Sequence, residues 1–140
     1  MLKLMYTYLH SYERSGMEDY SKIILHADDD PFNLKFVHNL LDPFYLVMTC
    51  YSGKHLLEHL ECMCANLILL DVEMPEMDGW ETIKCLKENN ATKNIPVVFL
   101  SGNDSREEME KGLSLGAADF IVKPFKYNDF LERVNSLLYA

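Results

Sequence analysis

NLILLDVEMPEMDGWE, residues 66–81, is the stretch on which the fold turns. It opens with an apolar run, Leu67 to Leu70, that shows no polar alternation and is short for a helix. Strands covered on both faces read this way. The run ends on an acid, Asp71, and breaks into a turn containing Pro75 and Gly79. Beyond the turn, Ile83 and Leu86 mark the inward face of a helix. Strand, charged strand end, loop and helix make one unit of a parallel sheet.

The same unit recurs on both sides. Further apolar runs are IILHA (23–27), YLVMTC (45–50), PVVFLS (96–101) and FIV (120–122). Helical spacing fills the gaps between them. Asp30 can cap a helix that has Pro31 at its first position and Leu34, Val37 and Leu41 inward. Ser52 can cap a second, with Leu56, Leu57 and Leu60 inward. Ser105 with Glu108 reads as a capping box before a helix that turns Met109 and Leu113 inward and ends at Gly116. Phe130, Leu131, Val134, Leu137 and Leu138 give the clearest stripe. Five such units predict an α/β domain with right-handed crossovers, at about 28 residues per unit. It spans residues 21–140, after an N-terminal extension, 1–20, that is flexible or a short helix. Within the extension, Leu2, Met5, Leu9 and Tyr12 share one helical face. Met17 offers a second possible start of the natural product.

Composition narrows the function. The chain has 140 residues, 49% hydrophobic and 25% charged, as one soluble domain with a single core requires. No apolar run approaches the ~20 residues of a membrane helix, and the N-terminus lacks the pattern of a secretory signal. The net charge of −9 repels phosphate backbones, which argues against nucleic-acid binding. Cys50, Cys62, Cys64 and Cys85 have no disulfide-framework spacing and read as reduced thiols in a cytoplasmic protein.

Polar residues gather where the apolar runs end. Asp28, Asp29 and Asp30 follow the first run, Asp71 the third, Ser101 closes the fourth and Lys123 follows the fifth. The second run ends without a candidate. Ligands of open parallel sheets bind beyond the carboxyl ends of the strands. Clustered carboxylates repel one another and call for a cation. Mg²⁺, which takes hard oxygen ligands, suits them, and Mn²⁺ can substitute. With a lysine and a hydroxyl, such a site can stabilise a phosphoryl group in transfer to a carboxylate.

KIILHADDDP, NLILLDVEMPEMDGWE, IPVVFLSGND and GAADFIVKPF, in this order and spacing, resemble the response-regulator receiver domains of two-component signalling. The resemblance covers residues 21–140. It implies a flavodoxin-like (βα)5 three-layer sandwich whose five-stranded parallel sheet has the order 2-1-3-4-5. It implies Asp71 as the phosphoacceptor and Mg²⁺ held by Asp28, Asp29, Asp71 and the Glu73 backbone carbonyl. Ser101 matches the hydroxyl that bonds the phosphoryl group, Lys123 the family's lysine, and Lys123–Pro124 a bond that is cis in the family. Phe120 matches the switch aromatic, which turns inward as Ser101 moves toward the phosphoryl oxygens. The implied donor is the phosphohistidine of a histidine kinase or histidine phosphotransfer protein. The implied output is protein binding at the face of the fourth helix, fifth strand and fifth helix. In the family, side chains at the positions of Glu73 and Asn103 tune hydrolysis of the aspartyl phosphate.

Other readings stand beside this one. A receiver fold can serve as a docking module without phosphorylation. A haloacid-dehalogenase-like phosphohydrolase also uses Asp, Ser, Lys and Mg²⁺, but wants a second Asp where Glu73 stands. The chain stops just after its last helix, as expected of a stand-alone regulator, a phosphorelay shuttle or a receiver cut from a hybrid kinase. His26 departs from the usual aliphatic residue and reads as a hydrogen-bonded strand histidine. His55, His59, Cys62 and Cys64 form a candidate second set, the first three on one helical face, where Zn²⁺ ligation competes with plain surface and packing roles.

Overall fold

A computed structural model describes residues 22–139. The strands are β1 (Ile23–Ala27), β2 (Leu46–Cys50), β3 (Leu67–Asp71), β4 (Val97–Ser101) and β5 (Asp119–Val122). The helices between and after them are α1 (Pro31–Leu41), α2 (Gly53–Cys62), α3 (Gly79–Glu88), α4 (Arg106–Ser114) and α5 (Tyr127–Leu138). All neighbouring strands are parallel, in the order β2-β1-β3-β4-β5. Each short apolar run has become a strand because helices cover both of its faces. The extension of residues 1–20, with the Leu2–Tyr12 stripe and Met17, lies outside the described residues.

Two cores flank the sheet. On one side Val37 and Leu41 of α1 and Phe130, Val134 and Leu138 of α5 meet Ile24, Leu69, Leu100 and Ile121. On the other, Leu56 of α2 and Ile83 and Leu86 of α3 meet Leu25, Ile68, Leu70 and Phe99. Neighbouring strand residues thus serve opposite cores, the period-2 rule of strands. Full burial of each large side chain contributes about 1.5–3 kcal/mol.

The expected caps Asp30, Ser52 and Ser105 are in place, Asp78 adds a fourth, and α5 starts after Lys126 without a side-chain cap. Asp30, Ser52, Asp78 and Ser105 each accept a backbone N–H from the first turn of their helix. Gly116 ends α4 with φ 104°, a conformation glycine adopts without a Cβ penalty.

Two residues depart from the sequence pattern. Leu113 is 49% exposed, not inward. Gly112 takes the inward position instead, where an added Cβ would stand 3.0 Å from the Phe120 ring and 3.1 Å from the Phe99 ring. The two rings fill the space that a side chain of α4 would otherwise use. Secondly, His26 is fully buried, yet neither ring nitrogen has a hydrogen-bond partner among the described residues. Burial, and then Lys123, push it down to about 3, so it is held neutral.

Candidate functional site

The carboxyl ends of β1, β3, β4 and β5 open into one cleft. Asp28, Asp29, Asp71, Glu73, Ser101 and Lys123 all line it. The parallel sheet makes this unavoidable: strands running the same way bring their last residues to the same edge. Asp71 closes β3 and is mostly buried. Its loop is tied back by the Gly79 N–H, which donates to the Val72 carbonyl at 2.8 Å. Gly79 has no room for a side chain, because a Cβ there would meet the Asp71 carbonyl and the Val72 Cα.

The electrostatics are those of acids crowded together. Oxygens of Asp28, Asp29 and Asp71 lie within 4.8 Å of one another. Lys123 Nζ stands 3.7 Å from Asp28 Oδ2 and 3.9 Å from Asp71 Oδ1. Burial and the Asp28 carboxylate push Asp71 up to about 7, against the lowering by Lys123. Asp28 Oδ1 accepts the Asp30 N–H at 2.9 Å, whereas the buried Asp28 Oδ2 has no hydrogen-bond partner among the described residues. A hard divalent cation fits this donor set. It would relieve the repulsion and engage the orphaned oxygen.

On the far wall, Ser101 is buried at the end of β4. Its Oγ accepts the Asn103 N–H at 3.1 Å and lies 3.4 Å from Glu108 Oε2, toward which it donates. The capping box is therefore half formed. Ser105 Oγ accepts the Glu108 N–H, but the Glu108 carboxylate reaches Ser101 rather than the start of its own helix. Glu108 lines the cleft, a place its capping role concealed in the sequence. Trp80 lines it too, packed on Phe99 at 4.9 Å with Lys111 Nζ 4.6 Å above its ring. Asp30 is used up as the cap of α1, accepting the Phe32 N–H.

The Lys123–Pro124 peptide bond is cis. The Lys123 N–H donates to the Ser101 carbonyl at 2.7 Å, joining the β4 and β5 ends. Phe120 is only 2% exposed, with its ring 6.0 Å from that of Phe99. It already lies inward, so the inward turn foreseen for it has no distance left to run from this conformation.

Residues 24–135 match the response regulator receiver domain family. The chain belongs to that family. A relative from Vibrio cholerae, called a probable cyclic di-GMP phosphodiesterase, is 40% identical over 88% of this chain and 28% of its own length. Histidine kinase P4 of Formosa agariphila is 36% identical over 84% of the chain and 8% of its own length. The receiver thus spans under a third of either curated relative. The structure of chemotaxis protein CheY4 of Vibrio cholerae superposes with a TM-score of 0.78 at 29% identity, covering 84% of this chain and 98% of that chain. The fold is the CheY-like flavodoxin fold, and a phosphorylation switch is typical of the family. Receivers pair with histidine kinases or phosphotransfer proteins. Family membership displaces the phosphohydrolase reading. Among the described residues, no helix is long and apolar enough to cross a membrane.

Proposed function

We propose that this receiver accepts a phosphoryl group on Asp71 from a partner's phosphohistidine and passes the signal by protein binding at α4, β5 and α5, in the cytoplasm. The supporting observation is the meeting of three carboxylates and the Lys123 ammonium in one cleft, where the buried Asp28 Oδ2 faces Lys123 but has no hydrogen-bond partner among the described residues. The domain is residues 21–140, preceded by the extension of residues 1–20.

Asp28, Asp29, Asp71 and the Glu73 carbonyl would hold Mg²⁺ or Mn²⁺, which supplies positive charge to a phosphoryl group in transfer. Lys123 favours the ionised form of Asp71, the form that can attack. An Asp71 carboxylate oxygen bonds to phosphorus, the donor's P–N bond breaks, and its electron pair returns to the imidazole. Lys123 and the Ser101 hydroxyl then stabilise the phosphoryl oxygens. Ser101 turns from its 3.4 Å contact with Glu108 to do so. Phe120, already inward, is held there rather than driven there. Glu73 and Asn103 line the same cleft, at its mouth, where they can govern access of water to the aspartyl phosphate.

The test is exposure to Mg²⁺ with acetyl phosphate or beryllofluoride, read by Trp80 fluorescence and backbone NMR. A Mg²⁺-dependent change in the wild type, absent from Asp71→Asn, is expected. No change in a folded, Mg²⁺-binding protein would leave the docking-module reading in its place.

A further inference from the structure

The end of β2 contributes nothing to the phosphoryl cleft, yet it gathers its own set of ligand-type side chains. Cys50 Sγ and one ring nitrogen each of His55 and His59 lie within 4.8 Å of one another. The spacing is C-x4-H-x3-H: the thiol closes the strand, and the two imidazoles sit one turn apart on α2. Cys62, which shares the helical face in sequence, is exposed and outside this group; Cys50 replaces it.

We propose that Cys50, His55 and His59 form a second metal site, separate from the acidic cleft, for a thiolate- and imidazole-preferring ion of the Zn²⁺ class. The ligand types match Zn²⁺ and not Mg²⁺, which takes oxygen. The spacing is near what is needed: tetrahedral Zn²⁺ sets its S and N ligands about 3.3–3.6 Å apart. Side-chain adjustment of about an ångström closes the set. His59 has the tautomer a ligand needs. Its Nδ1 lies 2.9 Å from the His55 carbonyl and donates to it, leaving Nε2 with a free lone pair. His55 is less ready, because its Nδ1 accepts the Tyr51 N–H at 3.1 Å. Ligation by His55 gives up that hydrogen bond, which makes it the weakest of the three. Its ring is braced between the Tyr51 ring, stacked at 5.5 Å, and the His59 ring, edge-on at 4.3 Å.

Cys50 is fully buried, and burial pushes its thiol up to about 12. The metal-free site therefore holds a neutral thiol. Binding breaks the S–H bond, forms the metal–sulfur bond and releases the proton to solvent. The fourth position is left to water, since His55 is only partly buried. The site also touches the signalling edge of the sheet. The Cys50 carbonyl accepts the Asp28 N–H at 3.1 Å, so an ion on Cys50 fixes a strand end that is bonded to a cleft acid.

The experiment uses the full chain with Cys62→Ser and Cys64→Ser, in excess Mg²⁺ to occupy the acidic cleft. Co²⁺ is titrated in and then displaced with Zn²⁺. One equivalent of Co²⁺ should bind with a sulfur-to-cobalt charge-transfer band, and Zn²⁺ should raise the Tm. Cys50→Ala should abolish the band. His59→Gln should weaken binding by at least about 10-fold, and more than His55→Gln does. His59→Gln also serves if the Cys50 variant fails to fold. No band in the starting protein, a band surviving in Cys50→Ala, or binding unchanged in His59→Gln overturns the proposal. Asp71→Asn should leave Co²⁺ binding intact, so failure of the phosphoryl reading and failure of this one remain distinct.

Discussion

The end of β3 and the interior of β1 treat a buried titratable group in opposite ways. At the end of β3, Asp71 is crowded by Asp28 and faced by Lys123 at 3.9 Å. Inside β1, His26 has no partner for either nitrogen among the described residues. Burial disfavours the charged form of both, raising the acid to about 7 and lowering the base to about 3. The difference is what surrounds them. Asp71 opens on a cleft where a cation and a lysine can restore its charge, so it is usable near neutral pH. His26 lines an apolar pocket with Phe36, Leu100 and Phe125, and the Lys123 on that pocket disfavours a second positive charge, so its charge is excluded. Chemistry needs the first arrangement; the second only costs stability.

Four effects, from three substitutions, break or sharpen that contrast. The largest effect is expected from Asp71→Asn: phosphoryl uptake from acetyl phosphate should fall at least ~100-fold, measured by phosphate-affinity electrophoresis, with the fold intact. Next comes Lys123→Ala, which removes the fixed cation. Phosphorylation should slow by about 10²-fold in stopped-flow Trp80 fluorescence, while beryllofluoride binding weakens.

The third effect is on stability. The folded Asp71 carboxyl lies at about 7, above its ordinary 3.8. Its contribution is therefore fully present below pH 3.8 and is lost as pH rises through about 7. Without Mg²⁺, Asp71→Asn should be more stable than wild type at about pH 8, by about 2 kcal/mol in urea, and equal to it in acid. Mg²⁺ should shrink the gap. The smallest effect is His26→Leu. Removing two unpartnered nitrogens should stabilise the neutral protein by about 1 kcal/mol. Because the folded His26 lies at about 3, below 6.5, wild-type stability from this residue is present above pH 6.5 and falls as pH drops toward 3. The Leu variant should lose that acid slope in urea melts between those limits. Equal slopes in both proteins would mean that His26 finds a partner in solution.

The sequence carried the cleft because it carried the strands. Consecutive apolar runs located β1, β3, β4 and β5, and the residue just past each run had to reach the shared edge. Asp28, Asp71, Ser101 and Lys123 were therefore legible together. Contacts across elements were not. Glu108 looked like a capping residue because local spacing cannot show that Ser101 lies nearer its carboxylate. Leu113 looked inward until Gly112 proved to be the position that two aromatic rings require. His26 looked hydrogen-bonded because buried polar groups nearly always are. Cys50 read as one reduced thiol among four. Its C-x4-H-x3-H spacing was available, but needed the strand–helix corner to give it meaning.

The 3.4 Å approach of Ser101 Oγ to Glu108 Oε2 has a consequence for timing. One hydroxyl proton has two claimants, the Glu108 carboxylate and any phosphoryl oxygen that arrives on Asp71. It cannot serve both. The Glu108 side chain on α4 thus keeps or loses that proton according to whether the cleft offers a stronger acceptor than a carboxylate. Removing the Glu108 carboxylate should leave the hydroxyl idle and ready, lowering the threshold for the signal without touching the acid that receives it.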